Sequence, residues 1–288
     1  MKKVESSDFP TIYIVGCARS GSTILFQLLC RYLEIAYPTN FLSRFHFAPH
    51  IGAKLQYLLN DLDYKGENLS AFPDFSLESN LGKTKGPLAP HEFWYYWRNH
   101  FELDKLGYVK DPSPLQIKNF QKGLDSIKDV FSLPLILKGM IANSAVSKIV
   151  EGRPQDRIIH IQRDILFNAQ SLLEARMDYY GDKEKWYSFG IPDSDVTDSP
   201  FEQVIRQVIE TNRLINLELE KLPRSMVISV RYEDLAGELE KLMEGLTAQI
   251  KMDWGGTFEV RNEQRLPSIE WDQLNETYSK FQKSNKSN

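Results

Sequence analysis

The stretch YIVGCARSGSTILFQLL, residues 13–29, changes character twice. It opens apolar and rich in β-branched residues, turns small and polar around Arg19, and then becomes apolar again. Leu25, Leu28, Leu29 and Tyr32 recur at i, i+3, i+4 and i+7, the period of a helix with one buried face. A strand ending at Val15, a turn between Gly16 and Gly21, and a helix starting near Ser22 follow from that pattern.

Working outward, five short apolar runs read as buried strands: residues 11–16 (TIYIVG), 34–38 (EIAYP), 134–138 (PLILK), 157–162 (RIIHIQ) and 225–231 (SMVISVR). They are nearly continuous rather than alternating, as expected of a parallel sheet covered on both faces. Helical patterns lie between them, including Val204, Ile205, Val208 and Ile209 followed by Ile215, Leu219 and Leu222. Alternating strands and helices predict an α/β fold: a three-layer α/β/α sandwich around a mostly parallel sheet of about five strands. About 95 residues separate the second and third runs, far more than a crossover helix needs. This long helical and aromatic insertion, about residues 40–133, is expected to shape a substrate site, because ligands of such sheets sit beyond the carboxyl ends of the strands. A second irregular stretch spans 178–200. The chain reads as one domain over residues 1–288, with 280–288 a frayed polar tail.

Composition narrows the class. Hydrophobic residues make up 42% of the 288 residues, enough for a full core, and the net charge of −4 argues against a general nucleic-acid binder. The only two cysteines, Cys17 and Cys30, form no disulfide framework and read as reduced thiols. No run approaches 18 apolar residues and the N-terminus has no apolar signal core, so a cytoplasmic protein without an integral membrane segment is expected.

The turn GCARSGST, residues 16–23, is built to hold an anion. Glycines let the backbone approach closely, the helix start aims unpaired N–H groups and a positive dipole end at one point, and Ser20, Ser22 and Thr23 add hydroxyls. Arg19 adds a planar charged fork. The spacing is almost that of the nucleotide-binding loop G-x-x-x-x-G-K-[ST], but Ser22 stands where the lysine belongs. The run PLILK ends in Lys138, where an aspartate would have helped hold magnesium, and Arg163 stands between the fourth run and Asp164. No metal site is expected.

CARSGST resembles the 5′-phosphosulfate loop of the sulfotransferases, approximately P-[KR]-[ST]-G-[ST]-[ST], with Ala18 in place of the proline. The second signature of that family is a strand, an arginine, and a serine eight residues on; IIHIQRDILFNAQS supplies Arg163 and Ser171. VRYEDL, residues 230–235, is similar to the family's strand ending in Tyr-Glu-Asp. The resemblance covers the sheet framework, about half of the chain. It implies a P-loop NTPase-like fold and the donor 3′-phosphoadenosine 5′-phosphosulfate (PAPS). It implies that Arg19, Ser20, Gly21, Ser22 and Thr23 hold the 5′-phosphosulfate, Arg163 and Ser171 the 3′-phosphate, and that Tyr232 lies near the adenine.

Sulfonyl transfer to a hydroxyl needs cations for the departing phosphate and a base for the acceptor. Arg19 and Lys138 are the expected cations, Lys138 because several sulfotransferases end the matching strand in lysine. The positions where the family keeps its base hold Gly139-Met140 and Thr39-Asn40 here, so the base is sought in the insertion, among His46, His50, His91 and Glu92. Glu92 is preferred and His50 is second. The acceptor, a carbohydrate or other small hydroxyl compound, is left open; a carbohydrate is favoured because six aromatics fall within residues 93–101. Two competing readings stay open beside this one: a P-loop kinase-like phosphotransferase and a non-catalytic nucleotide-binding module.

Overall fold

The computed structural model describes residues 9–61, 76–190, 198–246, 248–250 and 259–286. The chain runs through β1 (Thr11–Gly16), α1 (Ser22–Tyr32), β2 (Leu33–Glu34), α2 (Pro49–Asp61), β3 (Ser79–Asn80), β4 (Lys83–Thr84), α3 (Trp94–His100) and α4 (Pro114–Phe131). It continues through β5 (Leu135–Lys138), α5 (Val146–Ile149), β6 (Arg157–Gln162), α6 (Ile165–Tyr180), α7 (Pro200–Leu219), β7 (Val227–Arg231), α8 (Leu235–Glu244), β8 (Gln249–Ile250) and α9 (Ser268–Lys286).

The central sheet has four strands in the order β5-β1-β6-β7, and every pairing is parallel. Successive residues of β1 feed opposite faces. Tyr13 and Val15 join a core with residues of α3, α4, α5 and α7, whereas Ile12 and Ile14 join another with α1 and α8. A strand with buried side chains on both faces has no polar alternation to show, which is why β1 and β6 read as continuous apolar runs. A third cluster packs α6, α7 and α9 against Cys17 and Ala18 of the 16–23 turn.

Three expected boundaries differ. The run 34–38 is strand only at Leu33–Glu34, which pairs antiparallel with β8, while Ala36 makes a single parallel bridge to Leu135. Two ladder bonds mark that bridge, Ala36 N–H to the Pro134 carbonyl at 2.8 Å and Ile136 N–H to the Ala36 carbonyl at 2.9 Å. Pro38 has no N–H to continue the ladder, and the chain turns away to bridge Thr39 with Pro90. Strand β7 starts at Val227, after a 3₁₀ turn over Arg224–Met226. The stretch 280–288 is not a frayed tail as far as it is described: α9 continues to Lys286, because Trp271, Leu274, Tyr278 and Phe281 form a stripe packed on the third cluster.

Helix starts divide into two kinds. Ser113 of α4 and Ser199 of α7 make reciprocal capping boxes, and Asp164 caps α6 through Leu166 and Phe167. Helix α1 begins after Gly21 with no side-chain cap at all.

Candidate active site

The carboxyl ends of β1, β5 and β6 and the residue after β7 bring Gly16, Lys138, Arg163 and Tyr232 to one edge of the sheet. The 16–23 turn is the centre of this edge, and its carbonyls point outward into fixed partners. Asn143 Nδ2 donates to the Gly16 carbonyl at 3.0 Å and Asn168 Nδ2 to that of Ala18 at 2.7 Å. Arg163 Nη1 donates to the Arg19 carbonyl at 3.2 Å, Ser20 N–H to that of Cys17 at 3.2 Å, and Leu25 N–H to that of Gly21 at 3.1 Å. With the carbonyls tied back, the first-turn N–H groups of uncapped α1 are left for a ligand. Arg19 and Gly21 take the left-handed backbone that this reversal requires, at φ 68° and 96°. Ser20 Oγ is buried without a protein partner, an orphan that a bound oxyanion would satisfy. Ser22, in the usual lysine position, bonds the weakly accepting sulfur of Met140 at 3.4 Å.

Lys138 ends β5 and reaches across the turn. Its Nζ donates to Thr23 Oγ1 at 2.8 Å and to Glu92 Oε1 at 2.6 Å. The pair is largely withdrawn from water, with side-chain exposures of 5% for Lys138 and 17% for Glu92. Glu92 precedes α3, whose entry is shaped by Phe93 at φ 57° and by the Phe93 N–H donating to His91 Nδ1 at 2.8 Å. His91 is thus occupied as a backbone acceptor, and burial pushes its pKa down. His46 Nδ1 lies 2.6 Å from Asn99 Nδ2. His50, exposed in the first turn of α2, lies 3.3 Å from the Ser126 carbonyl of α4. Among these four insertion residues, Glu92 is the one that the structure joins to Lys138 and the turn.

Both members of the expected second anion site, Arg163 and Ser171, bond Arg19 of the turn. Ser171 accepts from Arg19 Nε at 3.2 Å. Arg163 donates to Asn262 Oδ1 at 3.0 Å and to the Arg261 carbonyl, and its guanidinium lies 4.6 Å from the centre of the Tyr232 ring. Tyr232 Oη accepts from Arg261 N–H at 3.2 Å, and its ring packs so tightly on Gly21 that a Cβ there would sit 2.3 Å from Cδ2. Burial is the main cause holding the pKa of Arg163 below the usual arginine range, with Tyr232 and Glu233 opposing the shift and Arg265 and Arg19 adding to it.

Sequence reasoning missed the 259–266 segment, which carries Arg261, Asn262 and Arg265 to this place. Arg265 is fixed by Glu174 at 2.7 and 2.8 Å. The cluster RNEQR has no periodicity, and its basic residues were the available signal. Tyr187, from the irregular stretch, was missed too; burial raises the pKa of its phenol, with Arg19 opposing and Glu92 reinforcing the shift. The aromatic run is mostly core. Phe93, Tyr96 and Trp97 are buried, and Trp94 stacks on Phe189, which in turn stacks on Tyr108, both at 5.3 Å. Both cysteines are buried thiols outside any disulfide, and burial pushes the Cys17 thiol up to about 12, which leaves it protonated.

A sequence profile described as the Sulfotransferase family matches residues 10–256, from β1 through β8 and beyond. The chain belongs to the sulfotransferase family. Solved structures similar to this family member include sulfotransferase STF9 from Mycobacterium avium, with 13% identity over 84% of the chain and 62% of that protein, at a TM-score of 0.49. Sulfotransferase STF1 from Mycobacterium tuberculosis H37Rv is 12% identical over 82% of the chain and 66% of its own, at a TM-score of 0.47. The sulfotransferase domain from the curacin biosynthetic pathway is 16% identical over 92% and 82%, at a TM-score of 0.41. The chain thus spans less than two thirds of the length of the two mycobacterial proteins. No curated protein sequence matches it. Among the described residues no helix is long and apolar enough to cross a membrane, and no group of three or more His, Cys, Asp or Glu could hold a metal ion.

Proposed function

We propose that this sulfotransferase moves the sulfonate of PAPS to a hydroxyl of a small acceptor. The observation that carries the reading is the uncapped start of α1: open N–H donors beside the orphaned Ser20 hydroxyl, flanked by Arg19 and Lys138. These residues fit a phosphosulfate. Ser20, Gly21, Ser22 and Thr23 would hold it through backbone and hydroxyl donors, and the donor would supply a sulfuryl group attached to a phosphate leaving group. Arg163, with Arg261 and Arg265 at its side, supports a second phosphate, with Tyr232 as the neighbouring aromatic face.

In the transfer the bond between sulfur and the phosphate oxygen breaks, a bond from sulfur to the acceptor oxygen forms, and the hydroxyl proton must leave. Glu92 takes that proton. Lys138 couples the two ends of the reaction. Its ammonium donates to Glu92 Oε1 at 2.6 Å and so holds the carboxylate beside the turn. Once Glu92 is protonated, the attraction between them is lost, and the ammonium is released toward the phosphate that is gaining charge. Arg19 stabilises that charge from the other side of the turn. The acceptor class is a small molecule bearing a hydroxyl. A carbohydrate has less support than the aromatic run suggested, since most of those rings are buried or stacked within the protein.

The test is transfer of labelled sulfonate from PAPS to a panel of hydroxylated acceptors, run beside calorimetry with 3′,5′-adenosine bisphosphate. Binding and transfer support the reading. Binding without transfer to any acceptor favours the non-catalytic module, and ATP-dependent phosphorylation favours the kinase.

A further inference from the structure

Residues 79–84 form a miniature hairpin between the insertion and the reaction centre. Ser79 pairs with Thr84 and Asn80 with Lys83, leaving Leu81 and Gly82 as a two-residue turn with φ of 49° and 85°. Positive φ at both central positions suits the right-handed twist of such hairpins, but a leucine there works against its own sterics. The tip lies directly over the cluster described above. A carbon added to Gly82 would sit 3.2 Å from Glu92 Oε1, 3.5 Å from Thr23 Oγ1 and 3.6 Å from Lys138 Nζ. The tip therefore helps keep the Lys138–Glu92 pair out of water, and a side chain at position 82 would press on Glu92 while holding a strained left-handed φ.

The hairpin is firmly held at its ends and weakly in its middle. On one side Leu77 packs against the α1 core and Gln27 Nε2 donates to the Ser76 carbonyl at 3.2 Å. On the other side Thr84 Oγ1 donates to the Pro90 carbonyl at 2.6 Å, and Asn40 Nδ2 holds the carbonyls of Thr84 at 3.2 Å and Gly86 at 2.7 Å. Between these moorings are two strand pairs, with Ser79, Asn80 and Lys83 exposed. A two-stranded ribbon of this size has little stability of its own. Segments with few buried contacts open at low free-energy cost while the core stays folded.

We propose that residues 79–84 are a flap over the reaction centre, and that Gly82 is a specificity-determining residue that sets which acceptors reach Glu92. The inference rests on Glu92 and Lys138 being the reacting groups. An acceptor hydroxyl must lie beside the Glu92 carboxylate, in the space that the tip borders, so the flap lifts for entry. Its return shields the reacting groups from water, which would otherwise compete as acceptor.

The test reads access to Lys138 and needs no acceptor. The full chain is treated with a small acylating reagent, and labelling of Lys138 is followed by mass spectrometry against exposed Lys85 as an internal reference. Replacing residues 80–83 by two glycines keeps the Ser79–Thr84 pair and removes the tip. Labelling of Lys138 is expected to rise about tenfold while that of Lys85 stays constant, the effect of removing a local opening step. Gly82→Ala should raise it as well, by pushing the tip off the cluster, and serves if the shortened chain does not fold. Hydrogen exchange at residues 79–84 should be much faster than in β5. Equal labelling of Lys138 with and without the tip would overturn the flap, and so would exchange at 79–84 as slow as in the core. If labelling and exchange behave as expected but no sulfonate is transferred, the flap stands and the assigned activity falls.

Discussion

Lys138 Nζ lies 2.6 Å from Glu92 Oε1, although 46 residues separate the two in the chain. The only strand-end lysine facing the turn, among the described residues of β1, β5, β6 and β7, is thereby shared between a carboxylate and the Thr23 hydroxyl. Neither member can be altered without changing the charge balance of the other. Glu92→Gln keeps the shape and removes the base. It should lower kcat by roughly 10²–10⁴-fold with donor affinity little changed. His50→Ala should leave kcat near that of the parent. Steady-state kinetics on both variants decide the matter, and the reverse outcome would transfer the role to His50.

Nucleotide preference tests the arginine group. The protein should bind 3′,5′-adenosine bisphosphate more tightly than 5′-AMP by about tenfold or more, since a charge-assisted hydrogen bond is worth about 1.5–3 kcal/mol. Arg163→Ala should erase the preference. Equal affinities for the two nucleotides in the parent protein, measured by calorimetry, would show that no second phosphate is recognised here.

Transfer should proceed in excess EDTA. Side-chain cations, Arg19 and Lys138, flank the turn where a lysine-and-magnesium arrangement would otherwise neutralise phosphate. Activity lost in EDTA and restored by magnesium would favour phosphotransfer instead.

Acid stability should depend on His160. The side chain is 1% exposed within β6, Nε2 lies 3.3 Å from Asn212 Oδ1, and burial pushes its pKa down to about 4. The unfolded chain therefore binds a proton near pH 6.5 that the folded chain refuses until about pH 4. The contribution is complete above pH 6.5 and is lost as pH falls toward 4, amounting to about 3 kcal/mol. Denaturant titrations across this window should show the slope, and His160→Gln should flatten it.

How far the chain could be read depended on how local each cause is. β1 and β6 have the boundaries expected from sequence, because continuous β-branched runs and two-sided burial are the same fact seen twice. The turn and its helix were legible for a similar reason: glycine spacing and hydroxyl residues act within eight positions. The run 34–38 was not, since its apolar residues do not reveal that Pro38 interrupts pairing at the sheet edge. Thr23 meets Lys138 across 115 positions, and only the folded sheet brings them together. The α9 stripe of Trp271, Leu274, Tyr278 and Phe281 was present in the sequence but was obscured by the polar residues that follow it.

The packing of Tyr232 on Gly21 has an evolutionary consequence. Position 21 has no room for even a methyl group, because the ring occupies the volume where one would project. The two positions share a single allotment of space, one at the start of α1 and the other just after β7. A side chain at 21 would meet both the ring of Tyr232 and a backbone at φ 96° that side chains rarely adopt, so the pair should stay fixed together. A library randomised at both positions and selected for folding should recover Gly21 with Tyr232.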